Sequence, residues 1–249
     1  MNKYILNKYS DKEEFIVKVY DILDHLERYS FCYAFPFLDP LEQIIVEEIL
    51  NEYPNVEYKF NDDKYSSERK QLLINMDEFS ITTLEFKYNS KFERLDHRQV
   101  LGSLMSTGLR REFIGDIHVE DGVVEFAIIS DKKEYIYNMF TSVSKVNVHL
   151  TETDGLKICK KKEIIEIIST SLRLDCLLSS IFNLSRIRSK EMIENGFVKV
   201  NYVTIYEGSY MCNGVNETIS VKRNGKVMLG GIVSHTRNNR LVIRVFKYT

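Results

Sequence analysis

The sequence predicts an α+β protein in three parts, and three observations carry that prediction. Apolar residues recur at helical spacing in some stretches and alternate strictly in others, without long segregation of the two patterns. Residues 81–150 read strand–helix–strand–strand–helix–strand, the ferredoxin-like order. Beyond Asn201 the pattern turns all-β, with Asn224-Gly225 as a hairpin signal. The expected division is residues 1–78 as a small α/β domain, 79–153 as a ferredoxin-like domain, 154–171 as a connector and 172–249 as a C-terminal domain.

In the first part, 11–29 is amphipathic, with Phe15, Val19, Ile22, Leu23 and Leu26 on one face. Residues 31–38 are apolar and aromatic, and Pro36 and Pro40 limit them to short strand or loop pieces. A second helix spans 41–53 before Pro54, followed by strands at 56–60 and 71–75 around a polar turn. Glu47, Glu48, Asp62 and Asp63 read as solvated surface and not as acids or metal ligands.

The middle part predicts strands at 81–88, 114–119, 123–129 and 145–150, with helices at 96–107 and 131–140. Gly108 ends the first helix and Asp121-Gly122 makes a tight turn. The same element order occurs in the RNA-recognition motif, where rings such as Phe86, Tyr88 and Phe126 would stack bases on an open sheet face. A place in the core fits these rings equally well. Arg110 and Arg111, just past the Gly-bounded helix end, either satisfy carbonyls or touch phosphate. Asp116, after Gly115, reads as a turn-fixing residue.

Asp154-Gly155 and the solvated run Lys160-Lys161-Lys162 mark the connector, which leads into the strand-like 164–168. Helices are expected at 174–182 and 185–195, with a break at Asn183-Leu184, an N-cap at Ser185 and a stop at Gly196. The second helix breaks a rule. Its positive end should favour acids, yet it carries Arg186, Arg188 and Lys190. Arg186 and Lys190 fall on one flank; Ser185, Ser189, Met192 and Ile193 fall on the packable side. Cations at a helix start oppose the macrodipole but favour an anion, and phosphate fits best. Strands then follow at 197–201, 217–221, 227–233 and 241–246, with Lys222, Arg223 and Lys226 bracketing the hairpin.

Composition excludes several classes. Among the 249 residues, 44% are hydrophobic and 28% charged, as in globular proteins. No run of some eighteen apolar residues and no signal-peptide pattern occurs, so a cytoplasmic protein is expected. Cys32, Cys159, Cys176 and Cys212 show no metal or redox spacing and read as reduced thiols. The net charge of -2 hides an asymmetry: residues 172–249 hold 12 basic and 5 acidic side chains, whereas 1–90 hold 10 and 18. A partner meets this local field, not the average.

At the C-terminal helices a family likeness becomes specific. Arg173-Leu174-Asp175, Ser185-Arg186, Ile193-Glu194-Asn195-Gly196 and Val198-Lys199-Val200-Asn201 resemble the S-four-type RNA-binding domain, with its helical αL motif and small β-sheet. Members usually place Asn-Gly after the Val-x-Val strand; Tyr202 stands in place of that Gly. Together with His97 to Gly102 and Gly108 to Ile117, the chain resembles the YlmH family of bacterial proteins. The resemblance implies binding to RNA on the large ribosomal subunit, proximity to cell-division genes, and a part in rescuing stalled ribosomes by holding peptidyl-tRNA.

No nucleophile–base pair or nucleotide-binding glycine loop is evident, and His25, His97, His118, His149 and His235 are scattered. The Arg-Leu-Asp at 173–175 lies outside the setting that pseudouridine synthases give that motif. The expectation is therefore a non-enzymatic binder of ribosomal RNA and tRNA, without metal or cofactor. Arg173, Ser185, Arg186, Arg188, Lys190, Lys199, Lys222, Arg223 and Lys226 form the expected surface, with Arg110 and Arg111 as a secondary one. Two alternatives are a cell-division adaptor that captures protein partners through the acidic N-terminal domain, and an RNA-modifying enzyme using Asp96 or Asp116.

Overall fold

In the computed structural model, which describes residues 1–29, 31–157 and 162–248, the chain begins at an Asn cap. The Asn2 side chain accepts from Tyr4 N at 2.9 Å and starts α1 (Lys3–Lys8). In α2 (Glu13–Tyr29) the buried stripe is Ile16, Val19, Tyr20, Leu23 and Leu26. Phe15 and Ile22, expected at its centre, are only half-buried, because the apolar arc of this helix is wider than the face its neighbours cover. β1 (Tyr33–Leu38) is an edge strand whose register shifts between Ala34 and Phe37, which accommodates Pro36. α3 (Pro40–Leu50) opens on a capping box between Asp39 and Glu42 and ends before Pro54 is reached. β2 (Tyr58–Phe60) and β3 (Lys70–Ile74) complete a small antiparallel sheet in the order β1-β3-β2.

The middle sheet runs β5-β6-β4-β9, all antiparallel, which is the ferredoxin-like order. Its strands are β4 (Ile81–Lys87), β5 (Ile114–Glu120), β6 (Val123–Ile129) and β9 (Thr151–Thr153), with α4 (His97–Ser106) and α5 (Lys133–Met139) between them. Asp96 and Gln99 cap α4 reciprocally. The fourth strand is not at 145–150. There, β7 (Ser142–Val143) and β8 (Val146–Asn147) form a separate hairpin. Val148 is buried in the middle core, and Val146 and Leu150 pack against it, so their alternation reported a buried side and not a strand partner.

This sheet is covered on both faces. On one, Leu84, Phe86, Val124 and Phe126 pack with Val100, Leu104, Ile136 and Phe140 of the helical layer. The ring centroids of Phe86 and Phe126 lie 6.0 and 5.8 Å from that of Phe140. Both rings are core, so neither stacks a base. On the other face, Phe37 of β1 packs on Ala127 and Ile129. A Cβ on Gly115 would lie 3.0 Å from both Ala127 and the Phe37 ring, so glycine is what lets β1 approach this closely.

Asp116 locks the contact. It is 5% exposed and accepts from Ser67 N (2.8 Å), Ser67 Oγ (3.0 Å), Glu68 N (2.8 Å) and Arg69 N (3.0 Å), while its own N–H reaches Ser66 Oγ. It fixes a turn, but one distant in sequence. Arg69 adds bonds to the carbonyls of Phe37 and Ile114. Residues 1–159 accordingly form one compact unit and 160–249 a second.

The second unit starts earlier than residue 172. β10 (Lys162–Ser169), within the expected connector, pairs along its length with β15 (Leu241–Tyr248). Its sheet order is β10-β15-β14-β13-β11-β12, using β11 (Val198–Val200), β12 (Val203–Thr204), β13 (Val215–Val221) and β14 (Gly225–His235). α6 (Leu174–Phe182) and α7 (Arg186–Glu194) form a helical pair, broken by Asn183 at φ 53°. Leu174, Leu177, Leu178, Met192 and Ile193 join Val198, Ile219, Val227, Leu229, Ile243 and Val245 in its core. The hairpin expected at Asn224-Gly225 forms between β13 and β14, but not through the two-residue type I′ turn that this pair favours. Val221 pairs with Gly225 across three residues, and Arg223 (φ 68°) and Gly225 (φ 106°) take the left-handed conformation, so no two-residue type I′ turn forms there. Cys159 and the side chains of Lys160, Lys161 and Lys162 lie outside the described residues.

Candidate nucleic-acid interface

Arg173 is the N-cap residue of α6, but its side chain turns to Asp175. Nε donates to Oδ1 at 3.1 Å and Nη2 to Oδ2 at 2.9 Å, a two-point pair. Asp175 is 2% exposed, and the Arg173 hydrogen bonds hold its carboxyl below the usual carboxylate range. The Arg173 side chain itself stays 40% exposed. Its planar fork is therefore fixed on one edge and open on another.

Arg186 approaches the same place from α7. Its Nη2 donates to Cys176 Sγ, which donates to Asp175 Oδ1 at 3.3 Å and accepts from Ser171 Oγ at 3.4 Å. The thiol contact raises the Arg186 pKa above its ordinary value, while the charge of Arg173 opposes that shift. Two guanidinium groups thus feel one another across the start of both helices. Lys190, one turn further along, keeps to this flank: a Cβ on Gly208 would lie 3.5 Å from Lys190 Cγ and 3.7 Å from Asp175 Cβ. Arg186 and Lys190 are exposed, and neither has a carboxylate ion pair among the described residues. Arg188 lies elsewhere on α7 and pairs with Glu191 at 3.0 Å, both well exposed. Ser185 is the N-cap: its Oγ accepts from Arg188 N at 3.1 Å.

The remaining expected cations gather on β11 and the β13–β14 hairpin. Lys199 pairs across β11–β13 with Ser220, which pairs across β13–β14 with Lys226, giving one row. Lys222 Nζ sits 4.8 Å from the centroid of Phe197, and Lys226 Nζ 5.9 Å from that of Tyr202. Arg223 is exposed at the tip of the turn. Tyr202 forms, with Asn201, the two-residue loop between β11 and β12, at φ 69° and 46° respectively. That loop is the type I′ geometry that glycine would hold without strain. Asn201 steadies it by accepting from Thr218 N at 2.9 Å.

Sequence reading did not find Cys176 as a partner of Arg186, because a thiol carries no spacing signal for that role. Nor did it find Phe197 and Tyr202 as platforms for Lys222 and Lys226; the aromatic–cation pairs are cross-strand and become visible only with the register. The secondary pair divides. Arg110 is exposed, pairs with Glu112 at 2.8 Å and lies 4.7 Å from the Phe113 centroid. Arg111 donates to the carbonyls of Ile114 and Gly115, and burial, followed by the charge of Arg69, pushes its pKa down to about 10. Arg111 is committed to backbone carbonyls. Among the described residues no three His, Cys, Asp or Glu side chains converge as metal ligands, and no helix is long and apolar enough to cross a membrane.

Comparison with known proteins yields three findings. Residues 75–157 match a family model described as "Putative RNA-binding domain in YlmH". The chain is 29% identical over 214 residues to the Bacillus subtilis "Ribosome-associated protein quality control protein P2", spanning 82% of each. The fold is similar to that of the "Cell division protein ylmH from Streptococcus pneumoniae", with a TM-score of 0.50 and 22% identity over 57% of this chain and 91% of that one.

Proposed function

This chain belongs to the YlmH family, and from that premise we propose that it is a non-enzymatic RNA-binding protein of the large ribosomal subunit. It grips structured ribosomal RNA, and tRNA beside it, through its C-terminal unit during the rescue of stalled ribosomes. The observation that carries this reading is the flank formed by Arg173, Arg186 and Lys190, where the one paired carboxylate, Asp175, holds Arg173 while Arg186 bonds a thiol and Lys190 has no carboxylate ion pair among the described residues. Asp175 is spent on orienting Arg173. The surplus positive charge therefore faces outward, beside helix ends whose own field is positive. Such a surface contacts phosphates and reads shape more than base sequence. Lys199, Lys222, Arg223 and Lys226 extend it along the sheet, and Arg188 joins once phosphate replaces Glu191, since an exposed pair holds its cation weakly. Ser185 contributes by capping α7. The description of the matched domain and the name of the Bacillus relative support an RNA- and ribosome-directed role.

The test is Arg186→Glu with Lys190→Glu in the full chain. Both side chains are exposed, so the circular dichroism spectrum stays as it is. Co-sedimentation with large ribosomal subunits is lost, and what binding remains depends less on salt. Undiminished co-sedimentation of the double variant overturns the reading.

A further inference from the structure

In residues 75–157 the surface that the RNA-recognition motif uses is not available. Phe37 of β1 covers that face at Gly115, Ala127 and Ile129, and Gly155 and Lys157 donate backbone N–H groups to Thr83 and Glu125 of the same sheet. RNA that meets this domain must use another surface. One corner has the required chemistry. Where the chain leaves β4, and beside the β7–β8 hairpin, Lys87, Tyr88, Asn89, Phe92, Glu93, Lys145 and Asn147 surround an open cleft of about 340 Å³.

Phe92 is 87% exposed, a rare situation for a phenyl ring. Lys91 beside it, and Lys145 across the cleft, are also exposed, with no ion pair among the described residues. Two acids temper the charge: Glu85 lies 3.3 Å from Lys87, and Glu93 accepts from Ser144 Oγ at 3.1 Å. Glu93 is thereby partly occupied, and Lys87 stays 72% exposed on its surface pair.

We propose that this cleft is a second RNA contact, in which one unstacked base lies on the Phe92 ring. Its flanking phosphates meet Lys87, Lys91 and Lys145, and Asn147 offers its amide to the base edge, with Asn89 offering its NH2 alone because its Oδ1 accepts from Lys91 N at 3.0 Å. An exposed ring with cations around it is the arrangement that binds single-stranded RNA without strict sequence preference. The inference rests on the ribosomal-RNA reading above and adds a site outside the C-terminal unit.

The chain has no tryptophan, so Phe92→Trp places one fluorophore in the cleft at an exposed position. Titration of the full-length Phe92→Trp protein with a single-stranded oligouridylate quenches its emission saturably. Phe92→Ala weakens binding of a fluorescein-labelled oligouridylate about tenfold, and Lys145→Glu does the same with a smaller salt dependence. An unquenched emission at saturating oligonucleotide overturns the proposal. A spectral shift caused by RNA-free ribosomal proteins, with none from RNA, also overturns it and makes the cleft a protein contact. Failure here leaves co-sedimentation through Arg186 and Lys190 intact, so the two readings fail separately.

Discussion

Asp175 sits beneath Arg173 with both carboxylate oxygens engaged, and that single pair orients the start of α6 while leaving the guanidinium open to solvent. Its dependence on pH follows from the depressed carboxyl pKa. A group depressed in the folded state stabilises above its unfolded pKa of about 3.9 and loses that contribution as pH falls through the lower folded value. Wild-type protein should therefore lose stability below about pH 4, and Asp175→Asn should flatten that part of the profile. Thermal melts of the two proteins between acid and neutral pH check this.

Asp116 holds the loop of residues 66–69 against β5 through four donors. Asp116→Ala leaves those donors unpaired near a buried position, and each costs on the order of 1 kcal/mol or more. The expected result is a Tm drop confined to residues 1–159. Amide exchange resolved by segment would show protection lost at 66–69 and retained in the C-terminal sheet.

Gly115→Val should act on the same junction by steric means. Its Cβ has only 3.0 Å to Ala127 and the Phe37 ring, and overpacking of a tight contact costs about 1–3 kcal/mol. Gly225, whose added Cβ would meet nothing within 4 Å, is a poor control because its φ is positive; Gly102 meets nothing within 4 Å and is a better one. Urea unfolding should show Gly115→Val clearly destabilised and Gly102→Ala unchanged or slightly stabilised.

Tyr202 occupies a left-handed position at φ 69°. Tyr202→Gly relieves strain of about 1 kcal/mol and removes the ring beneath Lys226. Stability should rise or hold while RNA affinity falls, which separates a surface kept for binding from one kept for folding. A parallel fall in Tm would show instead that the ring is needed to hold the hairpin.

The thiols should differ in reactivity. Cys212 is buried, and burial with the nearby charge of Glu217 pushes its pKa up to about 12, whereas Cys32 is exposed. Iodoacetamide near pH 8 should alkylate Cys32 in the native protein and reach Cys212 only after unfolding. Mass spectrometry of the digested protein reads both sites.

Much of the local structure was legible because its causes are local. Ser185, read as an N-cap, holds the backbone of Arg188; the capping boxes Asp39 with Glu42 and Asp96 with Gln99, not named in that reading, are set over the same three-residue range. The cationic start of α7 and the basic balance of residues 172–249 are likewise properties of sequence alone. Periodicity located most strands as well, because alternation requires only that one side be buried.

What periodicity cannot carry is the identity of the covering partner. The alternation at 145–150 was satisfied by core packing, the strand-like 164–168 joined the C-terminal sheet as β10, and Phe86 with Phe126 turned toward helices. Tertiary structure likewise decided which cations remain open. Arg173, Arg111 and Arg188 found partners, while Arg186 took a thiol and Lys190 has no carboxylate ion pair among the described residues. Caps and charge are fixed within a helical turn; the covered face of a sheet and the partner of a guanidinium depend on segments tens of residues away, and only the folded chain brings those together.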